Sequence, residues 1–365
     1  MTLHLYFARR FAVVFGGLFA VFFLLMSLLD FVEQVRRFGP QDAGLSQILR
    51  LTALNAPQGI YNILPLVMIL ATVALFLALA RSSELVVARA AGRAGLRTLM
   101  APVAVAAIIG VLAVAVLNPI VATTAKRYEQ LSQAARAGGV DVLSVSAEGL
   151  WLRQGDPSGQ TVIRAARANS DGTVLQAVSF LTYAADGAPT RRIEAATATL
   201  RDGVWELTDA KTWSLAPGAN PEATAQTAAT VQVASSLTRD RIRDSFGAPH
   251  TISIWDLPDY IAQLREAGFS ARRHAVWFQM ELARPLFLVA MVLISSAFTM
   301  RHTRFGRTGV AVLAAVLLGF TLYYIRSFSQ ILGENGLVPV LLAAWAPPVA
   351  SVLLALGLLL HMEDG

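Results

Sequence analysis

The chain has no cysteine. That excludes a disulfide framework, a thiolate metal site and a cysteine nucleophile, and it fits any redox compartment. Charge is scarce too. Asp, Glu, Lys and Arg make up 15% of the 365 residues, against about 25% in a soluble globular chain. So little charge does not cover a water-facing surface, which excludes an ordinary soluble enzyme. Disorder is excluded by the 55% of hydrophobic residues, which far exceeds what a disordered composition carries. Lysine occurs only as Lys126 and Lys211, each preceded by alanine, whereas a phosphate-cradling Walker loop needs glycine before its lysine. The histidines His4, His250, His274, His302 and His361 form no i, i+4 pair and no HExxH arrangement, and GxSxG is absent. No catalytic residue, no metal site and no cofactor of the chain's own is predicted.

What the chain has is long apolar runs. Residues 11–29 hold 19 consecutive uncharged positions between Arg10 and Asp30, enough to cross a hydrocarbon core of about 30 Å. A signal peptide has a shorter apolar core, about 7–15 residues, followed by a cleavage site. This run instead continues into Asp30-Phe31-Val32-Glu33 and reads as a retained helix. Further spans are predicted at about 60–80, 98–125, 275–300, 308–325 and 337–360. The fourth contains Glu281 and Arg284. Ionisable residues inside a span are functional candidates. They read either as cavity residues or as an i, i+3 intramembrane pair that neutralises itself. Pro285 is expected to kink this span.

Positive charge orients the spans. Residues 126–274 hold 16 basic and 16 acidic side chains, so the net charge of +6 comes entirely from the apolar parts. It is no basic nucleic-acid face. With six spans, Arg9, Arg10, Arg81, Arg89, Arg93, Arg97, Arg301, Arg304 and Arg307 fall on one side. The short loops opposite hold Arg36, Arg37, Arg50 and Arg326, balanced by Asp30, Glu33, Asp42 and Glu334. The positive-inside rule then places both termini in the cytoplasm and the long central segment outside.

That central segment reads as β. Residues 142–153, 160–168, 173–184, 190–200, 204–215 and 227–235 alternate partially between apolar and polar, separated by turn signals such as Asp171-Gly172, Asp186-Gly187 and Asp202-Gly203. Regularly spaced short strands suggest a sandwich or jelly roll. A short helix over 257–267 follows. The predicted fold class is therefore membrane α-helical, with six transmembrane helices and an inserted periplasmic all-β jelly-roll-like domain. The divisions are 1–125, 126–274 and 275–365.

The loop 81–97 (RSSELVVARAAGRAGLR) is helix-compatible, with Leu85, Ala88, Arg89 and Gly92 on one face. It reads as an amphipathic surface segment or as a coupling helix that docks on a cytoplasmic ATPase. In the second reading Glu84, alone among arginines, meets a basic residue of that partner. Arg36 and Arg37 lie seven and eight residues beyond the first span. They read either as locally salt-bridged to Asp30 and Glu33 or as two adjacent guanidinium groups suited to phosphates.

Several stretches carry a family resemblance. Residues 31–39 (FVEQVRRFG), 83–92 (SELVVARAAG), 148–152 (EGLWL), and 257–268 followed by Pro285-Leu286 resemble, in order and spacing, the LptF/LptG permease family of the lipopolysaccharide export ABC transporter. The FVEQ stretch favours its LptG branch. The resemblance implies a half-transporter without ATPase motifs, which pairs with the sibling permease LptF and with a dimer of the ATPase LptB. ATP and Mg would be bound by that ATPase. LptC and the periplasmic LptA would continue the path. It implies a substrate, lipopolysaccharide, extracted from the outer leaflet of the inner membrane of a Gram-negative bacterium and passed to a periplasmic protein bridge. Arg36 and Arg37 are then candidate lipid-headgroup contacts, and Glu84, Leu85, Ala88, Arg89 and Gly92 candidate ATPase contacts. Where this chain has Asp30 and Glu281 the family often places a basic residue, so no lipid-binding role is carried over to either. An ion-coupled secondary transporter, or a membrane-anchored periplasmic scaffold, are the alternatives from other functional classes.

Overall fold

A computed structural model of the chain describes residues 2–39, 44–82, 84, 95–135, 143–146, 149–156, 159–169, 172–184, 187–215, 220–235, 237, 242, 248–266, 269–300 and 308–363. Two units emerge. One comprises Met1–Ala135, His250–Trp255 and Arg272–Gly365, the other Arg136–Pro249 and Asp256–Ala271.

The first unit is helical. Its elements are α1 (Thr2–Phe38), α2 (Leu45–Arg81), α3 (Gly95–Leu112), a π-helical segment (Ala113–Leu117), α4 (Asn118–Ala135), α6 (Arg272–Leu282), α7 (Arg284–Thr299), α8 (Thr308–Glu334) and α9 (Val340–Glu363). Among the described residues five helices are long and apolar enough to cross a membrane, with α3 through α4 counting as one; α6 and α7, bent by 48° at their junction, make a sixth when taken together. All six expected spans are present, and most are longer than their apolar runs. In particular, α8 continues past 325 to Glu334. Arg326 was expected in a loop, but it lies within the helix and is buried. Arg50 likewise lies inside α2 rather than before it. A helix need not stop where its apolar run stops, because its backbone hydrogen bonds continue into the interface.

α2 and α7 form the centre of this unit. Ile60, Leu64, Met68, Leu75 and Phe76 of α2 are buried, as are Phe287, Leu288, Met291 and Ile294 of α7. α7 also buries Ser295, Ser296 and Thr299, whose hydroxyls donate to carbonyls three or four residues back, so no hydroxyl is left without an acceptor. α1 packs Phe7 and Phe11 inward and leaves Val13, Val21, Leu24 and Leu28 exposed.

The second unit holds strands β1 (Leu143–Ser146), β2 (Gly149–Asp156), β3 (Gly159–Ala168), β4 (Val174–Ala184), β5 (Pro189–Arg201), β6 (Val204–Ser214) and β7 (Gln226–Ala234), and helix α5 (Leu257–Glu266). The strands form one antiparallel sheet in chain order, β1 to β7. This is the expected β domain, built as a meander in which each described connection is between neighbours. The sheet rolls until Gln154 of β2 donates to Ala234 O at the end of β7 (3.1 Å) and accepts from Ser235 Oγ (2.8 Å). Asp202 (φ 48°) and Gly203 (φ 77°) make the β5–β6 turn, a left-handed pair that suits a two-residue hairpin.

Inward positions step by two and then by three: Ile163, Ala165, then Ala168; Leu175, then Val178 and Phe180; Ile193, Ala195, then Ala198; Trp205, Leu207, then Ala210. The three-residue steps align across the sheet, because Ala165 pairs with Val178, Val178 with Ala195, and Thr197 with Thr208. Ala177 and Asp209 have left-handed backbones at this line. The core there is closed by Phe180 and Trp205, packed edge to face at 6.2 Å. Both rings are fully buried, as expected of sandwich core aromatics.

Candidate functional site

Three polar clusters in the helical unit contain the charged residues singled out above. The first joins the start of α1 to the residues after α2. Arg10 Nη1 donates to both oxygens of Glu84 (2.6 and 2.7 Å), Tyr6 OH donates to Glu84 Oε2 (3.0 Å), and Ser82 Oγ to Oε1 (2.8 Å). Burial opposes ionisation of Glu84. The hydrogen bonds from Arg10, Ser82 and Tyr6 outweigh it and hold the carboxyl below the usual carboxylate range. The base that meets Glu84 in this chain is therefore Arg10, whose place beside the first apolar run signals topology alone. The other proposed ATPase contacts, Leu85, Ala88, Arg89 and Gly92, lie outside the described residues, as do Arg301, Arg304 and Arg307.

The second cluster lies at the far end of α1, which carries Arg36 and Arg37 on its last turn. Asp30 Oδ1 accepts from Asn55 Nδ2 (2.7 Å) and Gln34 Nε2 (3.2 Å), and Gln34 also donates to Tyr128 OH (3.0 Å). Arg37 reaches the same hydroxyl (3.4 Å) and stands 3.7 Å from Glu33. Asp30 is thus tied to α2 through Asn55, and among the described residues only Arg37 of the two arginines has a local acid. Arg36 is exposed and has no hydrogen bond or ion pair among the described residues.

The third cluster is the buried one. Arg284 donates to Glu281 through Nη2 (2.5 Å to Oε1) and Nε (3.0 Å to Oε2). Tyr61 OH also donates to Oε2, and Asn118 Nδ2 lies 3.3 Å from it. Glu281 has no exposed surface. The Arg284 guanidinium stacks on the Tyr61 ring at 4.0 Å. Arg326 is buried close by. Its Nη2 donates to Met280 O (3.3 Å), and its guanidinium lies 5.3 Å from the Phe287 ring centroid. The i, i+3 spacing had pointed to the pair alone. Tyr61, Asn118 and Arg326 come from three other helices and carry no sequence signal beyond being polar in apolar runs.

The break between α6 and α7 has a local cause. Pro285 has no N–H to donate to the Glu281 carbonyl four residues back, and its ring crowds that carbonyl. The bend thus falls on the residue that holds the cluster. Among the described residues no three His, Asp or Glu side chains stand close enough to hold a metal ion.

Comparison with known proteins gives the chain's family. The family described as "Lipopolysaccharide export system permease LptF/LptG" matches residues 5–361. The lipopolysaccharide export system permease protein LptG of Haemophilus influenzae is 24% identical, covering 96% of this chain and 97% of its own. LptG of Escherichia coli K12 is 25% identical, over 95% and 96%. The match spans both helical halves and the inserted sheet, so this multi-pass chain belongs to the LptF/LptG family of lipopolysaccharide export permeases and is a transport subunit rather than an enzyme.

Proposed function

We propose that the chain is the LptG-like half of an ATP-driven exporter in the inner membrane, with both termini cytoplasmic and the β domain periplasmic. The observation that carries this reading is the family match from residue 5 to residue 361, on a chain without a Walker loop. Its helices pair with those of LptF, and an LptB dimer hydrolyses ATP with Mg. The pair encloses a cavity that takes lipopolysaccharide from the outer leaflet. LptC and LptA receive the lipid from the periplasmic domains.

Two features of this chain support the reading. Arg36 is an exposed guanidinium without a partner among the described residues, at one end of an apolar helix, which suits a phosphate at headgroup level. α1 keeps a row of large apolar side chains outward, as a helix does that faces lipid, substrate acyl chains or a sibling subunit. The test is affinity purification of the tagged chain from its native membrane, with mass spectrometry of proteins and lipids. An LptF-type permease, an ATPase and lipopolysaccharide are expected together. Recovery without any ATPase favours ion-coupled transport, and recovery with periplasmic proteins only favours a scaffold.

A further inference from the structure

We infer that Asn118 is a positioning residue that ties segment 250–255 to the bend in the fourth span, so that a displacement of one is felt by the other. This segment packs with the helical unit although the chain on both sides of it belongs to the β-rich unit. At its start His250 stands 3.6 Å from Glu129 of α4 and meets the Trp277 ring of α6 edge to face at 6.5 Å, and at its end two bonds reach one short stretch of helix. Ile254 N donates to Asn118 Oδ1 (2.9 Å), and Trp255 Nε1 donates to Ala115 O (3.1 Å).

Ala115 lies in the π-helical segment Ala113–Leu117. A π-turn shifts the regular hydrogen-bond pattern, and such turns recur at functional positions. Here a carbonyl of the segment takes a side-chain donor, and Asn118, the next residue after the segment, presents its amide. An asparagine amide has an acceptor end and a donor end, and both are used. Oδ1 faces the N–H of Ile254 and Nδ2 faces the Glu281 carboxylate. Asn118 and Ile254 are buried, so water does not replace either bond. Glu281 is the residue whose carbonyl Pro285 leaves without its i+4 donor. Close by, α3 touches α7 without clearance. A Cβ on Gly110 would sit 2.6 Å from Pro285 Cα. Packed elements of this kind shift between discrete arrangements rather than deform smoothly.

The test uses the full-length permease in its purified complex. Because the chain has no cysteine, Arg273→Cys and Phe298→Cys place a spin-label pair on either side of the break. By helical rise the two positions are about 33 Å apart at the observed bend and about 3 Å farther apart if the span straightens. Asn118→Leu is expected to broaden the distance distribution toward the longer value. Trp255→Ala, which removes only the bond to Ala115 O, is expected to broaden it as well, and to add nothing in the Asn118→Leu background, whereas a path through His250 and Trp277 would add to it. Should Asn118→Leu not assemble, Asn118→Ser, too short to span both partners, takes its place. Sharing of one path makes the two changes non-additive. A distribution unchanged by Trp255→Ala overturns the inference, as does a second, equal broadening on top of Asn118→Leu. The readout does not require lipid export. An inactive complex with the expected broadening therefore counts against the proposed function alone, and normal export without broadening counts against the tie alone.

Discussion

Breaking the buried cluster by its acid should cost more than breaking it by its nearer base. Glu281, Arg284 and Arg326 together carry a net charge of +1 inside the helical unit. Arg284→Met brings that to zero and leaves Glu281 with Tyr61, Asn118 and the field of Arg326. Glu281→Gln raises it to +2 and removes the carboxylate that pairs with Arg284 and offsets the field of Arg326. Removing one partner of a buried pair costs about 3–5 kcal/mol. The arginine change should fall near the low end, about 3 kcal/mol, because hydrogen bonds and a second cation remain; the glutamate change should reach about 5 kcal/mol or more. Replacing both, Glu281→Leu with Arg284→Met, restores the original net charge with apolar side chains. It should cost less than either single change, since a well-packed apolar pair is often neutral against an ion pair. Thermal unfolding in detergent, followed by tryptophan fluorescence, gives the order: parent highest, then the double variant, then Arg284→Met, then Glu281→Gln. The charge argument fails if Arg284→Met melts below Glu281→Gln, or if the double variant melts below both singles.

Replacing Arg36 and Arg37 by alanine should lower the lipopolysaccharide that copurifies with the complex and slow export while assembly and basal ATP hydrolysis persist; lysines should rescue in part, because charge remains without the planar fork. Glu84→Ala should weaken ATPase attachment by about 2–5 kcal/mol if its carboxylate meets a base there, and Arg10→Gln should spare attachment; equal losses in a pull-down would assign Glu84 to the bond with Arg10 alone. Because the folded-state pKa of Glu84 is lowered, its contribution is complete above the unfolded value of about 4.3 and is lost as pH falls through the folded value. Acid scans of the parent and Glu84→Gln should therefore diverge above that range and converge below it. Gly203→Val should destabilise the β domain by about 1–2 kcal/mol, since a φ of 77° is free of cost for glycine and strained for a β-branched side chain.

How far the sequence led depended on which physical signal was local. The spans were readable because a bilayer demands some twenty apolar residues in a row. Their ends were not, since α2 begins at Leu45 and α8 runs to Glu334 through stretches that alternate polar and apolar residues. The same effect hid Arg326: at the edge of an apolar run it looked like a loop charge, yet the helix carries it inward. In the β domain the alternation was only partial for a structural reason. Four strands change inward phase at one line, where Ala177 and Asp209 take left-handed backbones; neither residue type announces this. Glu281 and Arg284 were visible as a pair because one turn of helix brings them together. Tyr61 and Asn118 were not, because they reach Glu281 across 220 and 163 residues of chain.

The filled coordination of Glu281 also bears on how the transporter is energised. A carboxylate that carries protons across a membrane must at some stage lose its partners and meet water or another relay group. In this chain both oxygens of Glu281 accept from Arg284, and Oε2 accepts from Tyr61 and Asn118 as well. Two arginines surround one acid, so protonating it would leave two buried cations without a counter-charge. The arrangement favours a side chain used to hold helices together at a bend. Glu281, held in this way, does not resemble a stepping stone for protons. Under the proposed function, energy for movement enters outside the membrane, and the end of α2 where Glu84 stands is the place to look for it. Ion-gradient dependence of lipid release from the purified complex, with nucleotide absent, would reverse that conclusion.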